Sequence, residues 1–252
     1  MPRIVAIVNQ KGGVAKTTTT ASLGAAFAEL GERVLLVDLD PQACLTFSLG
    51  VDPEDVPVSI HQVFLGQAKA FDTMIDTDDF VDLVPATIEL TAAEAQLMTR
   101  SGREYVLREA LKPVTDDYDW VLLDCSPTLG IITLNALTAA TDVIVPMHGE
   151  TLSHRALGQL LETIEEVKQY TNPDLSVLGV LPVMFDGQYE HERAIIEDIR
   201  RTYGLRVWAP VPRSIRFAEA PARGRSILAT DPQSPGAMVY RELARSLITT
   251  SK

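Results

Sequence analysis

The segment Asn9-Gln10-Lys11-Gly12-Gly13-Val14-Ala15-Lys16-Thr17-Thr18 brings two lysines, two glycines and two threonines close together. The apolar stretch Ile4-Val5-Ala6-Ile7-Val8 precedes it and reads as a strand; a helical pattern follows from Thr17 to Leu30. A strand, a glycine-bearing loop and a helix start form a cradle for phosphate. Successive backbone N–H groups converge on anionic oxygens, and the helix dipole adds positive potential there. The cradle would run through Gly12, Gly13, Val14, Ala15, Lys16, Thr17 and Thr18. Lys16 has the reach for β- and γ-phosphates, and the Thr17 hydroxyl suits Mg²⁺, so the ligand pair implied is ATP with Mg²⁺.

Two further segments place acids at the carboxyl ends of apolar runs. Val34-Leu35-Leu36-Val37 leads into Asp38-Leu39-Asp40-Pro41-Gln42, where Pro41 ends strand pairing and turns the chain. Trp120-Val121-Leu122-Leu123 leads into Asp124-Cys125-Ser126-Pro127, a Walker B pattern. Acids in these positions can address a metal and water, with Asp124 holding a metal-bound water opposite Thr17. Away from a phosphate loop they would read as solvated acids at strand ends.

The loop departs from the ordinary P-loop. Gln10 stands where that pattern has glycine, Lys11 lies five residues before Lys16, and Ala15 stands where glycine usually precedes the lysine. The segment resembles the deviant Walker A, Lys-Gly-Gly-x-Gly-Lys-Thr-Thr, of the family that includes ParA, Soj and MinD. From Ile4 to about Leu247 the chain resembles a ParA/Soj-type partition ATPase. The family also carries Asp-x-Asp-Pro-Gln. The resemblance implies that Asp40 positions the attacking water and that Asp38 supports Mg²⁺ through its hydration shell. It implies that Lys11 crosses a dimer interface to the partner's phosphates, as an arginine finger does, so that two chains sandwich two nucleotides with Gly12 where the loops abut. Ser126 replaces the first proline of the family's Asp-x-Pro-Pro. If position 15 needs a positive φ, alanine there costs on the order of 1 kcal/mol.

Val211-Pro212-Arg213-Ser214-Ile215-Arg216-Phe217-Ala218-Glu219-Ala220-Pro221 resembles the segment that packs on adenine in relatives. Pro212 and Arg213 are expected to read the base edge through their backbone. Ser214 stands in place of asparagine, which puts one base hydrogen bond in question. Met184 and Phe185 read equally as a wall for the base or as ordinary core. Relatives use basic residues in the C-terminal third to bind DNA without reading sequence, a task suited to phosphate contacts. Arg216, Arg223 and Arg225 are the candidates here. Arg200 and Arg201 sit near Glu197 and Asp198 and read partly as salt bridges. An arginine that relatives often carry after the seventh strand is absent from Asp186-Gly187-Gln188-Tyr189.

The elements that position these residues alternate. Strands are expected at Ile4–Val8, Val34–Asp38, Asp82–Pro85, Trp120–Asp124, Val143–Pro146, Leu178–Met184 and Val207–Val211. Helices are expected at Thr17–Leu30, Glu89–Met98, Arg103–Leu111, Ile131–Ala139, Arg155–Tyr170, Glu190–Tyr203 and Gly236–Leu247, with a short one from Ser59 to Leu65. Continuous apolar strands between helices predict an α/β fold: a single doubly wound domain over residues 1–252, with a mainly parallel sheet and ligands at the strands' carboxyl ends.

A net charge of −12 argues against a chain whose whole surface coats nucleic acid, though not against a local basic patch, because charges are screened beyond about 8 Å. No run is long and apolar enough for a membrane span, and no signal segment precedes the first strand, so a cytoplasmic location is expected. Cys44 and Cys125 lack metal-ligand spacing and read as reduced thiols. The resemblance implies an ATP-dependent homodimer that binds non-specific DNA on the nucleoid and segregates chromosome or plasmid with a ParB-like partner. A ParA-like ATPase that positions a protein cargo is an alternative. A MinD-like membrane-surface ATPase is less favoured, because Tyr240–Ile248 carries only two basic residues. The cysteines do not match an iron–sulfur ATPase such as the nitrogenase iron protein.

Overall fold

A computed structural model describes residues 2–149, 151–186 and 190–250; for residues 151–154 and 190–191 it describes the backbone alone. The strands are β1 (Arg3–Ile7), β2 (Val34–Leu39), β3 (Ile75–Asp76), β4 (Asp82–Val84), β5 (Trp120–Cys125), β6 (Asp142–His148) and β7 (Ser176–Val183). They form one seven-stranded sheet in the order β3-β4-β2-β5-β1-β6-β7. All pairings are parallel except β3 with β4. β2 and β5 are buried along their whole length, which is why both read as unbroken apolar runs.

Helices cover both faces. They are α1 (Lys16–Glu29), α2 (Cys44–Ser48), α3 (Ile60–Leu65), α4 (Leu90–Leu97), α5 (Val106–Thr115), α6 (Ile131–Ala139), α7 (Thr151–Tyr170), α8 (Glu190–Tyr203), α9 (Arg216–Glu219), α10 (Ile227–Thr230) and α11 (Pro235–Thr250). One apolar core lies between the sheet and α3 to α8, and the other between the sheet and α1, α10 and α11. The expected α/β architecture with a mainly parallel sheet is the one observed.

Four local expectations change. Val207–Val211 is not a strand. Pro210 and Pro212 have no N–H to donate, and the segment makes only isolated bridges, Val180 with Val207 and Phe185 with Pro212. The seventh strand is instead β3, a two-residue antiparallel edge. The helix expected to end at Leu111 continues through Pro113 to Thr115, burying Leu107, Leu111 and Val114 on one face. α2 was not expected at all. No helix among the described residues is long and apolar enough to cross a membrane.

Candidate nucleotide site

The phosphate loop leaves β1 and is fastened at its base. Buried Asn9 donates from Nδ2 to the Pro146 carbonyl on β6 (2.7 Å), and its Oδ1 accepts from Lys11 N–H (3.0 Å). Gly13 (φ 70°) and Ala15 (φ 56°, ψ 33°) both adopt left-handed backbone, so position 15 does require the conformation that glycine suits. Alanine there costs about 1–2 kcal/mol of strain. Val14 turns into the core, while Gly12 and Gly13 stay exposed; a Cβ on Gly12 would meet nothing within 4 Å. Lys16 opens α1. Its ammonium is buried and donates to the Lys11 carbonyl at 3.2 Å. Burial pulls its proton affinity below the ordinary lysine value, opposed by the charge of Asp124.

Asp38 and Asp124 occupy paired register positions on β2 and β5, so parallel strand pairing alone puts two carboxylates side by side. Both are fully buried. Thr17 Oγ1 donates to Asp124 Oδ2 at 2.8 Å, and Thr20 Oγ1 approaches Oδ1 at 3.1 Å. Asp38 Oδ2 accepts from the Thr46 amide (2.9 Å) and hydroxyl (2.7 Å), and its Oδ1 accepts from Asp40 N–H (3.1 Å). Burial, then the neighbouring Asp38, pushes the Asp124 carboxyl up to about 8. Burial also raises Asp38, to about 6, against the lowering effect of its Thr46 hydrogen bonds. Asp40 sits half-buried at the mouth, where its Oδ1 accepts from Gln42 N–H at 2.9 Å.

Among the described residues, no three His, Cys, Asp or Glu converge as a metal cage. Mg²⁺ does not need one: it keeps several waters and is bound through one or two protein groups plus substrate phosphates. A threonine hydroxyl against one of two buried carboxylates, with Lys16 as the nearby cation, is the donor set that such a hydrated ion fits. Cys125 is buried beside Asp124, and burial pushes its thiol well above the ordinary cysteine value; Cys44 is exposed, with a smaller rise from partial burial.

Beyond the loop lies a cavity of about 260 Å³. Ala15, Thr18, Met184, Pro212, Arg213, Ser214, Phe217 and Tyr240 line it. The fold thus joins the phosphate loop to the Pro212-Arg213-Ser214 segment, almost 200 residues away in sequence. Met184 lines the cavity, whereas Phe185 holds its far edge through the backbone, donating to the Val211 carbonyl and accepting from Arg213 N–H. Ser214 Oγ accepts from Arg216 N–H at 3.2 Å, a local turn bond, and Arg213 Nη2 lies 3.3 Å from His148 Nε2.

The three candidate DNA-contact arginines differ in their surroundings. Arg216 pairs with Glu219 (2.8 Å) and approaches Asp231 (3.7 Å). Arg225 donates from Nε to Asp79 Oδ1 at 2.9 Å and from Nη2 to the Asp78 carbonyl at 2.6 Å. Arg223 is exposed at the end of the turn Pro221–Arg223, with no partner to its guanidinium among the described residues. Arg200 and Arg201 make the expected salt bridges to Glu197 and Asp198. Gln188 and the side chains of His154 and His191 lie outside the described residues.

Sequence reasoning missed Asn9, Thr20 and Thr46. Thr20 carried a findable signal, lying one helical turn after Lys16 and so sharing the face of Thr17. Thr46 carried none, because Asp38 reaches it through a helix too short for a periodic pattern.

Three comparisons accompany this geometry. A family model described as an AAA domain matches residues 2–177. The sporulation initiation inhibitor protein Soj of Bacillus subtilis is 41% identical over 249 residues, 98% of each chain. The chromosome partitioning protein ParA of Myxococcus xanthus is 39% identical over 248 residues, 98% of this chain and 88% of that one. Among solved structures, cobyrinic acid a,c-diamide synthase from Mycobacterium smegmatis, with bound ADP and magnesium, superposes with a TM-score of 0.88 at 51% identity. The match covers 98% of this chain and 94% of that one.

Proposed function

The chain belongs to the ParA/Soj family of P-loop ATPases, and from that premise we propose that it is a nucleotide-gated dimer that binds DNA without reading sequence and segregates chromosome or plasmid with a ParB-like partner. The observation that carries this reading is the phosphate loop itself. Lys16 and Thr17 meet Asp124 inside the fold, and a second lysine, half-buried Lys11, stands beside exposed Gly12, where a Cβ would meet nothing within 4 Å.

In this reading Lys16 binds the phosphates of ATP, and the Thr17 hydroxyl holds Mg²⁺, with Asp124 and Asp38 supporting its waters. The metal neutralises phosphate oxygens when bound. Asp40, at the mouth, orients the attacking water. Lys11 stabilises negative charge on the partner's nucleotide. The base lies in the cavity between Ala15 and Pro212, held by the backbone of Pro212 and Arg213 and by Ser214. Arg223 contacts DNA phosphate, and Arg216 lies on the same surface.

A second reading follows from the Mycobacterium smegmatis synthase. ATP-driven amide formation needs an ammonia source, commonly glutamine hydrolysed by an activated cysteine. Among the described residues, the buried Cys125 thiol bonds only the Leu123 carbonyl and no base is hydrogen-bonded to the exposed Cys44 thiol, so neither cysteine is set up as a nucleophile. The DNA-binding reading is therefore preferred. A gel shift on random-sequence duplex with ATP, with ADP and without nucleotide tests it. A shift with ATP alone is expected; equal binding in all three lanes, or none with ATP, overturns it.

A further inference from the structure

The reading of Arg223 as a DNA contact supplies the starting point. We propose that the backbone contact between Gly50 and Gly224 is the joint through which the nucleotide site positions Arg223.

The path begins at Asp38. Both of its Oδ2 hydrogen bonds come from Thr46, in the middle of α2. The Thr46 hydroxyl also accepts from Ala86 N–H at 3.0 Å, at the end of β4. α2 is therefore tied to the carboxylate through Thr46 as well as to the core through buried Leu45, so a change in how Asp38 uses its oxygens bears directly on the helix. Four residues on, about 6 Å along the helix axis, the chain reaches Gly50. There Gly50 N–H donates to the Phe47 carbonyl and Val51 N–H to that of Thr46, so the end of α2 is a closed turn without slack.

Gly50 (φ +83°) then touches Gly224 (φ +65°) with no side chain between them. A Cβ on Gly224 would lie 2.7 Å from the Gly50 Cα, and one on Gly50 would lie 3.2 Å from the Gly224 carbonyl oxygen. Each glycine is required twice, by its left-handed backbone and by the other's proximity. A backbone-to-backbone contact of this kind transmits displacement, because neither side has a rotamer to absorb it.

The residues directly after Gly224 are fixed. Asp79, with its side chain 1% exposed, accepts from Arg225 Nε and from Ser226 N–H (2.6 Å), and Arg225 also grips the Asp78 carbonyl. The chain directly after Arg223 is thus held twice, by Gly224 against Gly50 just past α2 and by Arg225 and Ser226 on the β3–β4 connection. Arg225 is a positioning residue in this arrangement, and Arg223 is the group presented. Two conformations follow. In one, Asp38 is fully used by Thr46 and Asp40. In the other, Asp38 shares its oxygens with a metal-bound water, α2 shifts, and Gly224 moves with it. That change in acceptor use is the differential contact a population shift needs.

Hydrogen exchange on the full chain, with and without Mg²⁺ and a non-hydrolysable ATP analogue, tests the joint. In the wild type, residues 44–50 and 221–226 should both change their exchange on nucleotide addition. In Gly50→Ala the phosphate loop should still be protected while the response at 221–226 is lost. The ratio of DNA affinities with ATP analogue and with ADP should then fall at least about fivefold. Thr46→Val, which removes the hydroxyl bond to Asp38, keeps the amide bond and leaves both glycines in place, should diminish the response at 221–226 if Gly50→Ala does not fold. A wild type in which 44–50 responds and 221–226 does not overturns the joint, even if DNA binding proves triphosphate-dependent. If 221–226 responds but no DNA is bound in any state, the joint stands and the DNA reading falls.

Discussion

The hydroxyls of Thr19 and Tyr240 lie 3.1 Å apart with both residues fully buried, which closes α11 onto α1 inside the apolar core. The Phe217 ring meets Tyr240 edge-on, with centroids 6.2 Å apart, so the same tyrosine backs the base cavity. Ala237, Tyr240, Leu243, Ala244 and Leu247 are all buried, and the apolar face of the C-terminal helix is thereby occupied by the body of the protein. Tyr240→Phe leaves the Thr19 hydroxyl without its partner. It should cost about 1–2 kcal/mol, read as a fall of roughly 2–8 °C in thermal midpoint. An unchanged midpoint would show that the bond does not contribute.

Lys16→Ala removes the one ammonium buried in the phosphate loop. Charge-assisted bonds to phosphate are the strong ones, and losing them should weaken binding of a non-hydrolysable ATP analogue by about 100-fold or more in calorimetry. Retained affinity would remove Lys16 from the site.

Ala15→Gly relieves the left-handed strain at the start of α1. The relief of about 1–2 kcal/mol is partly offset by the greater freedom of glycine in the unfolded chain, about 0.4–1 kcal/mol. A net gain on the order of 0.5 kcal/mol follows from these two figures, a rise of about 1–2 °C in thermal midpoint without nucleotide. A lowered midpoint would mean that the alanine methyl makes a contact that outweighs its strain.

Arg223 and Arg225 should differ when changed one at a time, the first acting on DNA binding alone and the second on stability as well. Arg223→Ala should weaken DNA binding on every sequence and reduce the salt slope by about 1, with no change in thermal midpoint. Arg225→Ala strands the buried Asp79 carboxylate and should cost about 1–3 kcal/mol of stability. Equal effects of the two changes on midpoint and on DNA binding would contradict the division of roles.

Asp76 and Asp82 face each other across β3 and β4, and the Tyr118 hydroxyl donates to Asp82. Burial first, and the Asp76 carboxylate as well, raise the Asp82 carboxyl above its ordinary value. A carboxyl that holds its proton more tightly when folded stabilises the fold most at low pH. That contribution is lost as pH climbs from the unfolded value, near 3.9, through the folded one. Asp76→Asn removes a like charge worth about 0.2–1 kcal/mol. It should raise the thermal midpoint at pH 7.5 and leave it unchanged below about pH 4; an equal rise at both pH values would rule out charge as the cause.

The phosphate loop, both acidic strand ends and the parallel sheet were legible because each is local: a run of apolar residues followed by the groups that do chemistry. Even the pairing of Asp38 with Asp124 follows from two strands ending alike and lying side by side. The 207–211 segment misled because its apolar run is real, yet Pro210 and Pro212 lack the N–H donors a ladder needs. α2 escaped because five residues are too few to show a helical period. The role of Arg225 was illegible because its partner Asp79 lies 146 residues away, and nothing in either segment names the other.

Both margins of the sheet are short or interrupted. β7 is flanked by the 206–212 segment, whose backbone bonds with Val180, Pro182 and Phe185, and β4 is capped by a strand only two residues long that runs the other way. Among the described residues, another copy of this chain would thus find only short, interrupted ladders on which to add a strand.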